Sequence, residues 1–165
     1  MSNTEELLAN ARRHPEAFDQ GDFRSPPARK LVVVACMDAR VNPYRILGLE
    51  DGDAHILRNA GGIVTEDVIR SLVISQRLLG TEEIVLMHHT DCGMERFSDD
   101  ELRRDIEVET GHEPPWVAGA FSDLAADVRE SIARILASPF VPLKSSVRGF
   151  VYDVHTGSLH EVRPA

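Results

Sequence analysis

Two apolar runs constrain this chain most. Residues 31–35 (Leu-Val-Val-Val-Ala) and 84–87 (Ile-Val-Leu-Met) are uninterrupted by polar side chains. Runs of this length, rich in β-branched residues, read as strands buried on both faces of a sheet. Each run leads straight into a polar cluster. The first delivers Cys36-Met37-Asp38-Ala39-Arg40, the second His89-Thr90-Asp91-Cys92. Both cysteines of the chain therefore stand at strand ends, one close to a carboxylate and the other to an imidazole. Two thiolates, one imidazole and one carboxylate make a ligand set that tetrahedral zinc accepts.

The rest of the composition narrows the class. A chain of 165 residues suits one domain spanning 1–165, with residues 1–20 as an N-terminal helical arm. The net charge of −9 argues against a nucleic-acid partner, which needs a basic stripe. No segment approaches the roughly 20 apolar residues of a membrane span. The start, Met1-Ser2-Asn3-Thr4, lacks the basic and apolar regions of a secretory signal, so a cytoplasmic location is expected. Two cysteines in such a chain are metal ligands or small core residues rather than a disulfide.

Strand and helix alternate along the chain. Residues 3–18 read as a polar helix with few apolar anchors, one that needs a neighbour to pack on, such as another subunit. A loop over 21–29 containing Ser25-Pro26-Pro27 precedes the first strand, and 43–47 forms a helical turn. A short strand over 54–57 follows. Thr65 is a good N-cap, Glu66 and Asp67 suit the first turn, and Gly80 suits the end of the helix. Val68, Ile69, Leu72, Val73, Gln76 and Leu79 share one face of that helix. A third strand covers 83–88, and helices cover 99–110 and 121–137. Strands over 148–155 and 158–162 flank a turn at Thr156-Gly157. The predicted architecture is α/β, a mainly parallel sheet with flanking helices and an antiparallel C-terminal edge strand. In such sheets ligands bind at the carboxyl ends of the strands, where Cys36 and His89 fall.

The clusters admit several chemistries. The two-residue gap between His89 and Cys92 lets both converge on one ion. Asp38 is either a fourth ligand, which closes the site, or is drawn off by Arg40 in a charge-assisted pair, which leaves the metal open to water. If strand geometry continued through Arg40, Asp38 and Arg40 would point the same way. The bland alternative is a solvated loop ion pair. Asn59-Ala60-Gly61-Gly62 lines a pocket or simply turns the chain before Thr65. Alternation turns His88 away from His89 and gives it a structural role. His55 is a proton carrier or a half-buried strand residue, and His14, His112, His155 and His160 carry no local signal.

These residues resemble the β-class carbonic anhydrases, in particular their compact archaeal and bacterial branch. The resemblance rests on Cys36-x-Asp38-x-Arg40, the stretch from Gly52-Asp53-Ala54 to Arg58-Asn59-Ala60-Gly61, and His89-x-x-Cys92-Gly93. Gly149-Phe150 through Asp153-x-x-Thr156-Gly157 extends it over nearly the whole chain. It implies a Zn²⁺ cofactor held by Cys36, His89 and Cys92, with Asp38 as a ligand in a closed state only. It implies that Asp38 and Arg40 gate and assist a zinc-bound hydroxide that hydrates carbon dioxide to bicarbonate. It also implies a homodimer or dimer-based oligomer whose N-terminal helix reaches across the interface. Two departures stand out. Ala39 replaces a serine found in many members, and the substrate-facing glutamine of the plant-like branch has no clear counterpart: Pro26-Pro27 occupy its region, with Gln20 well upstream. Carbonyl sulfide hydrolysis at the same zinc site is the alternative to carbon dioxide hydration, and a non-catalytic zinc-binding protein is the less favoured one.

Overall fold

The computed structural model describes residues 2–18 and 21–163. Of the arm, residues 1, 19 and 20 lie outside the described residues, and the Gln20 position with them. The strands are β1 (Leu31–Cys36), β2 (Ala54–Asn59), β3 (Glu83–His89), β4 (Val147–Tyr152) and β5 (Leu159–Val162). They form one sheet in the order β2-β1-β3-β4-β5. Neighbours are parallel except β4 and β5, which pair antiparallel at the edge. The helices are α1 (Asn3–Arg13), α2 (Pro43–Leu47), α3 (Glu66–Leu79), α4 (Asp99–Thr110) and α5 (Leu124–Ala137). Among the described residues no helix is long and apolar enough to cross a membrane.

Burial of β1 on both faces explains its unbroken apolar run. Val32 and Val34 face a core built with Val68, Ile69 and Leu72 of α3 and Val128, Ile132 and Ile135 of α5. Val33 and Ala35 face the other way, with Met87, Val41 and the half-buried Ile46 and Leu47 of α2. The period of two along a strand thus supplies two cores from one segment. The faces are held close by absent side chains. A Cβ on Gly149 in β4 would lie 2.4 Å from Val128 and 2.9 Å from Ile132, so α5 rests directly on the β4 backbone.

The helix signals place the elements well. Thr65 accepts the amide of Val68, and Gly80 ends α3 with a left-handed φ of 71°. Asp123 caps α5 through the amide of Ala126, so this helix starts at Leu124 rather than at 121. Strand β2 runs two residues beyond 57, because Arg58 and Asn59 stay paired with Ala35 and Cys36. Strand β3 likewise includes His89. Strand β4 stops at Tyr152 rather than 155, since the Asp153 carboxylate accepts the amides of His155 and Thr156 and bends the chain. The arm splits into α1, opened by a Ser2–Glu5 capping box, and a 3₁₀ turn over His14–Ala17 containing Pro15. None of α1's residues is buried, and Leu7 and Leu8 are exposed.

The turn after β2 is the tightest approach to the strand ends. Gly62 has a φ of 72°, and a Cβ there would lie 2.7 Å from the Cys36 amide nitrogen. Gly80 has nearly the same φ but open space around it. Gly80→Ala should therefore lose about 1 kcal/mol, the strain of a left-handed alanine. Gly62→Ala should lose upwards of about 3 kcal/mol, strain plus overpacking. Urea unfolding of the two variants checks this, and equal losses would contradict the close approach.

Candidate metal site

The chain order of the strands creates the site. From β1 it moves to β2 on one side and then to β3 on the other, so a crevice opens at the carboxyl ends of β1 and β3. Ala35 lies opposite Met87 in the parallel register, which ends the two strands side by side. Cys36, His89 and Cys92 are all buried there, with their ligand atoms within 4.8 Å of one another. The two sulfurs are 4.0 Å apart and not bonded.

Each donor is presented for a metal. His89 donates Nδ1–H to the Thr90 carbonyl at 2.9 Å, which leaves the lone pair on Nε2. Nε2 is buried and has no hydrogen-bond partner. An orphaned ring nitrogen costs free energy unless something binds it. Two thiolates bound tetrahedrally at about 2.3 Å stand roughly 3.8 Å apart, close to the spacing found. The two thiols lie within hydrogen-bond reach of each other. The hydrogen bond from Cys92 pulls the Cys36 pKa down to about 4 against the opposing effect of burial, and His89 adds to the pull. The same hydrogen bond pushes the Cys92 thiol up, with burial adding to the shift. Burial resists protonation of His89, but the neighbouring Cys36 outweighs it and raises its pKa. The donor set and the orphaned nitrogen fit a soft-to-borderline dication such as zinc.

Asp38 stands beside the cluster without joining it. Its Oδ2 is 3.8 Å from His89 Nε2. Arg40 donates Nε–H to Oδ1 at 3.0 Å, Nη2–H to Oδ2 at 2.8 Å and its amide to Oδ1 at 2.9 Å. Those bonds hold the Asp38 carboxyl well below the usual carboxylate range, burial opposing them. The pair meets through a turn and not through continued strand geometry. Strand β1 ends at Cys36, and Val41 donates its amide to the Asp38 carbonyl, folding Arg40 back over Asp38. Arg58 secures the turn from β2, donating to the carbonyls of Cys36 at 3.0 Å and Asp38 at 2.7 Å.

Three charged residues, Arg58, Asp91 and Arg96, have no role in the sequence reading. Arg58 lies far along the chain and serves through backbone carbonyls. Asp91 lies inside the second cluster, and its carboxylate accepts Arg40 Nη1–H at 2.8 Å and Arg96 Nη2–H at 2.7 Å. Arg40 first, then Arg96, hold its pKa down to about 2. A charged residue between two ligands was the available signal. Thr90 anchors the loop, its hydroxyl accepting the Val154 amide and its own amide reaching the Tyr152 carbonyl.

The structure sorts the remaining candidates. Ala60, Met94, Phe97, Ala118 and Phe121 pack around Cys36 and Cys92 as an apolar wall. Asn59 donates to the Ile63 carbonyl at 2.9 Å, while Gly61 and Gly62 are buried against Met94 and the end of β1. His88 is buried on the other side of the strand, its Nε2 2.6 Å from Asp127 of α5. His55 bonds Ser75, which bonds Thr81, at the outer edge of β2 and away from the cluster.

Comparison with known proteins agrees with this geometry. The sequence model of the carbonic anhydrase family matches residues 31–159. The chain is 52% identical to beta-carbonic anhydrase 1 of Mycobacterium tuberculosis, over 99% of this chain and 100% of that one. It is 36% identical to a carbon disulfide hydrolase of Saccharolobus solfataricus, over 82% of this chain and 78% of that protein. Its fold superposes on a carbonic anhydrase crystal structure from Streptococcus mutans with a TM-score of 0.91, 40% identity and 99% coverage of both chains. Paired strand ends, a Cys-His-Cys cluster and these likenesses have one common explanation: the chain belongs to the β-class carbonic anhydrase family of enzymes.

Proposed function

We propose that this protein interconverts carbon dioxide and bicarbonate on a zinc ion held by Cys36, His89 and Cys92. One observation carries the reading. Three buried donors converge while the neighbouring carboxylate of Asp38, 3.8 Å from the histidine nitrogen, is tied to Arg40. Three protein ligands with a vacant fourth position is the pattern of catalytic zinc, whereas structural sites are closed by four. When bound, zinc supplies a Lewis acid that makes a water-derived nucleophile available near neutral pH.

The residues around it do the rest. Asp38 stays ionised at any working pH because Arg40 holds its pKa down, so it accepts hydrogen bonds and never donates one. It orients water beside the cluster and turns a lone pair towards the substrate carbon. Arg40 keeps that carboxylate in place. Ala60, with Asn59, Gly61 and Gly62 next to it, forms a wall with Met94 and Phe121 that suits a small linear apolar molecule and excludes bulk water. Carbon dioxide and water give bicarbonate and one proton, and that proton passes to buffer. Two unpaired cysteines suit a reducing compartment such as the cytoplasm. The exposed Leu7 and Leu8 of α1 suit burial against a second copy in a homodimer.

Hydrolysis of carbonyl sulfide at the same site is the second reading, favoured by the likeness to a carbon disulfide hydrolase. An apolar pocket separates such similar molecules by only about 1–3 kcal/mol.

Stopped-flow measurement of carbon dioxide hydration, from about pH 6.5 to 9, tests the first reading. The zinc-loaded protein should give a rate far above buffer that climbs with pH. No rate above buffer with zinc bound would discard it and favour carbonyl sulfide. Cys36→Ser should abolish stoichiometric zinc in metal analysis. Asp38→Asn should keep the zinc but lower kcat by about 10–100-fold. Unchanged kcat in that variant would remove Asp38 from the mechanism.

A further inference from the structure

Arg40 is gripped from two sides. One edge of its guanidinium holds Asp38. The other reaches Asp91, with Nη1–H donated to Oδ2 at 2.8 Å and Nη2–H to the backbone carbonyl at 2.9 Å. Asp91 has a left-handed φ of 54°, a conformation that aspartate tolerates better than most residues. In that conformation its carboxylate and its carbonyl both serve Arg40. Its remaining oxygen is taken by Arg96 at 2.7 Å, so the carboxylate is braced from behind.

The geometry points to Asp91 as a positioning residue: by clamping Arg40 it keeps Asp38 paired with the guanidinium and away from His89 Nε2, so the metal keeps a free position. This rests on the open-site reading above. The side chain of Arg40 is 44% exposed against 19% for Asp38, and an ion pair whose cation is open to water gains little against hydration and rotamer freedom. Asp38 alone therefore holds Arg40 loosely. A second, braced carboxylate removes that freedom, and the chain Arg96–Asp91–Arg40–Asp38 becomes one network. Without Asp91, Arg40 is released towards solvent. Asp38, 3.8 Å from the histidine nitrogen, then competes for the fourth position.

The test uses full-length protein with zinc replaced by cobalt(II), titrated with azide at neutral pH and followed by visible absorption. Asp91→Asn keeps the shape and removes the charge. Asp91→Gly removes the carboxylate, and glycine accepts the left-handed φ without strain. Both variants should weaken azide about fivefold, the scale of one charge-assisted contact. Deleting a negative charge would by itself attract an anion, so a purely electrostatic role predicts the opposite sign. Adding Asp38→Asn to Asp91→Gly should restore the wild-type affinity. Unchanged or tighter azide binding in either variant overturns the proposal. So does weakening that persists in the double variant, or a wild-type protein whose cobalt spectrum ignores azide. Carbon dioxide hydration by the zinc protein is measured alongside. Its absence would defeat the proposed activity, while the azide series still decides the role of Asp91.

Discussion

The parallel pairing of β1 with β3 is the interaction on which the site depends. Neither strand carries a metal site alone. Cys36 closes one strand and His89 the other, and only a register that sets Ala35 opposite Met87 brings their side chains to a common point. That register is enforced by burial on both faces. A slip of one residue would exchange Val32 and Val34 with Val33 and Ala35 between two differently shaped cores. Packing that serves stability thus also sets the separation of the ligands. Gly62, wedged against the Cys36 amide, ties the β2 turn to the same point.

Above this apolar platform sits a layer of charge. Arg58 fixes the backbone of the 36–38 turn, Arg40 fixes the Asp38 side chain, and Asp91 with Arg96 fixes Arg40. Each link is partly exposed and individually weak, yet together they hold a carboxylate beside a buried cluster of donors without letting it in. Rigid backbone places the ligands, and a polar network sets what remains free. The division suits the proposed catalytic site, in which a metal would be retained while its fourth position stays accessible.

Much of this was legible in the sequence because the signals were local. Apolar runs announced β1 and β3, Thr65 and Gly80 bounded α3, and two of the three candidate metal donors, Cys36 and His89, stood directly at strand ends. Strand order was not legible, since it depends on pairings between segments about 50 residues apart. The same limit hid the clamp on Arg40: Asp91 is adjacent to a ligand in sequence, but its contact with Arg40 exists only once β1 and β3 lie side by side. The contact made by Arg58 was not legible for another reason, because it acts on carbonyls that every residue has. Asp38 and Arg40 met as expected, but through a turn in place of an extended strand. The sequence named the partners, while the backbone chose the route.

The most direct check is X-ray absorption at the zinc edge of the native protein. Two sulfur neighbours at about 2.3 Å and two lighter neighbours, one of them an imidazole nitrogen, are the result expected if β1 and β3 deliver Cys36, His89 and Cys92 to one ion. A shell with fewer than two sulfurs, or one of six oxygens, would mean that the strand ends do not share a metal, and the account built on their pairing would fail.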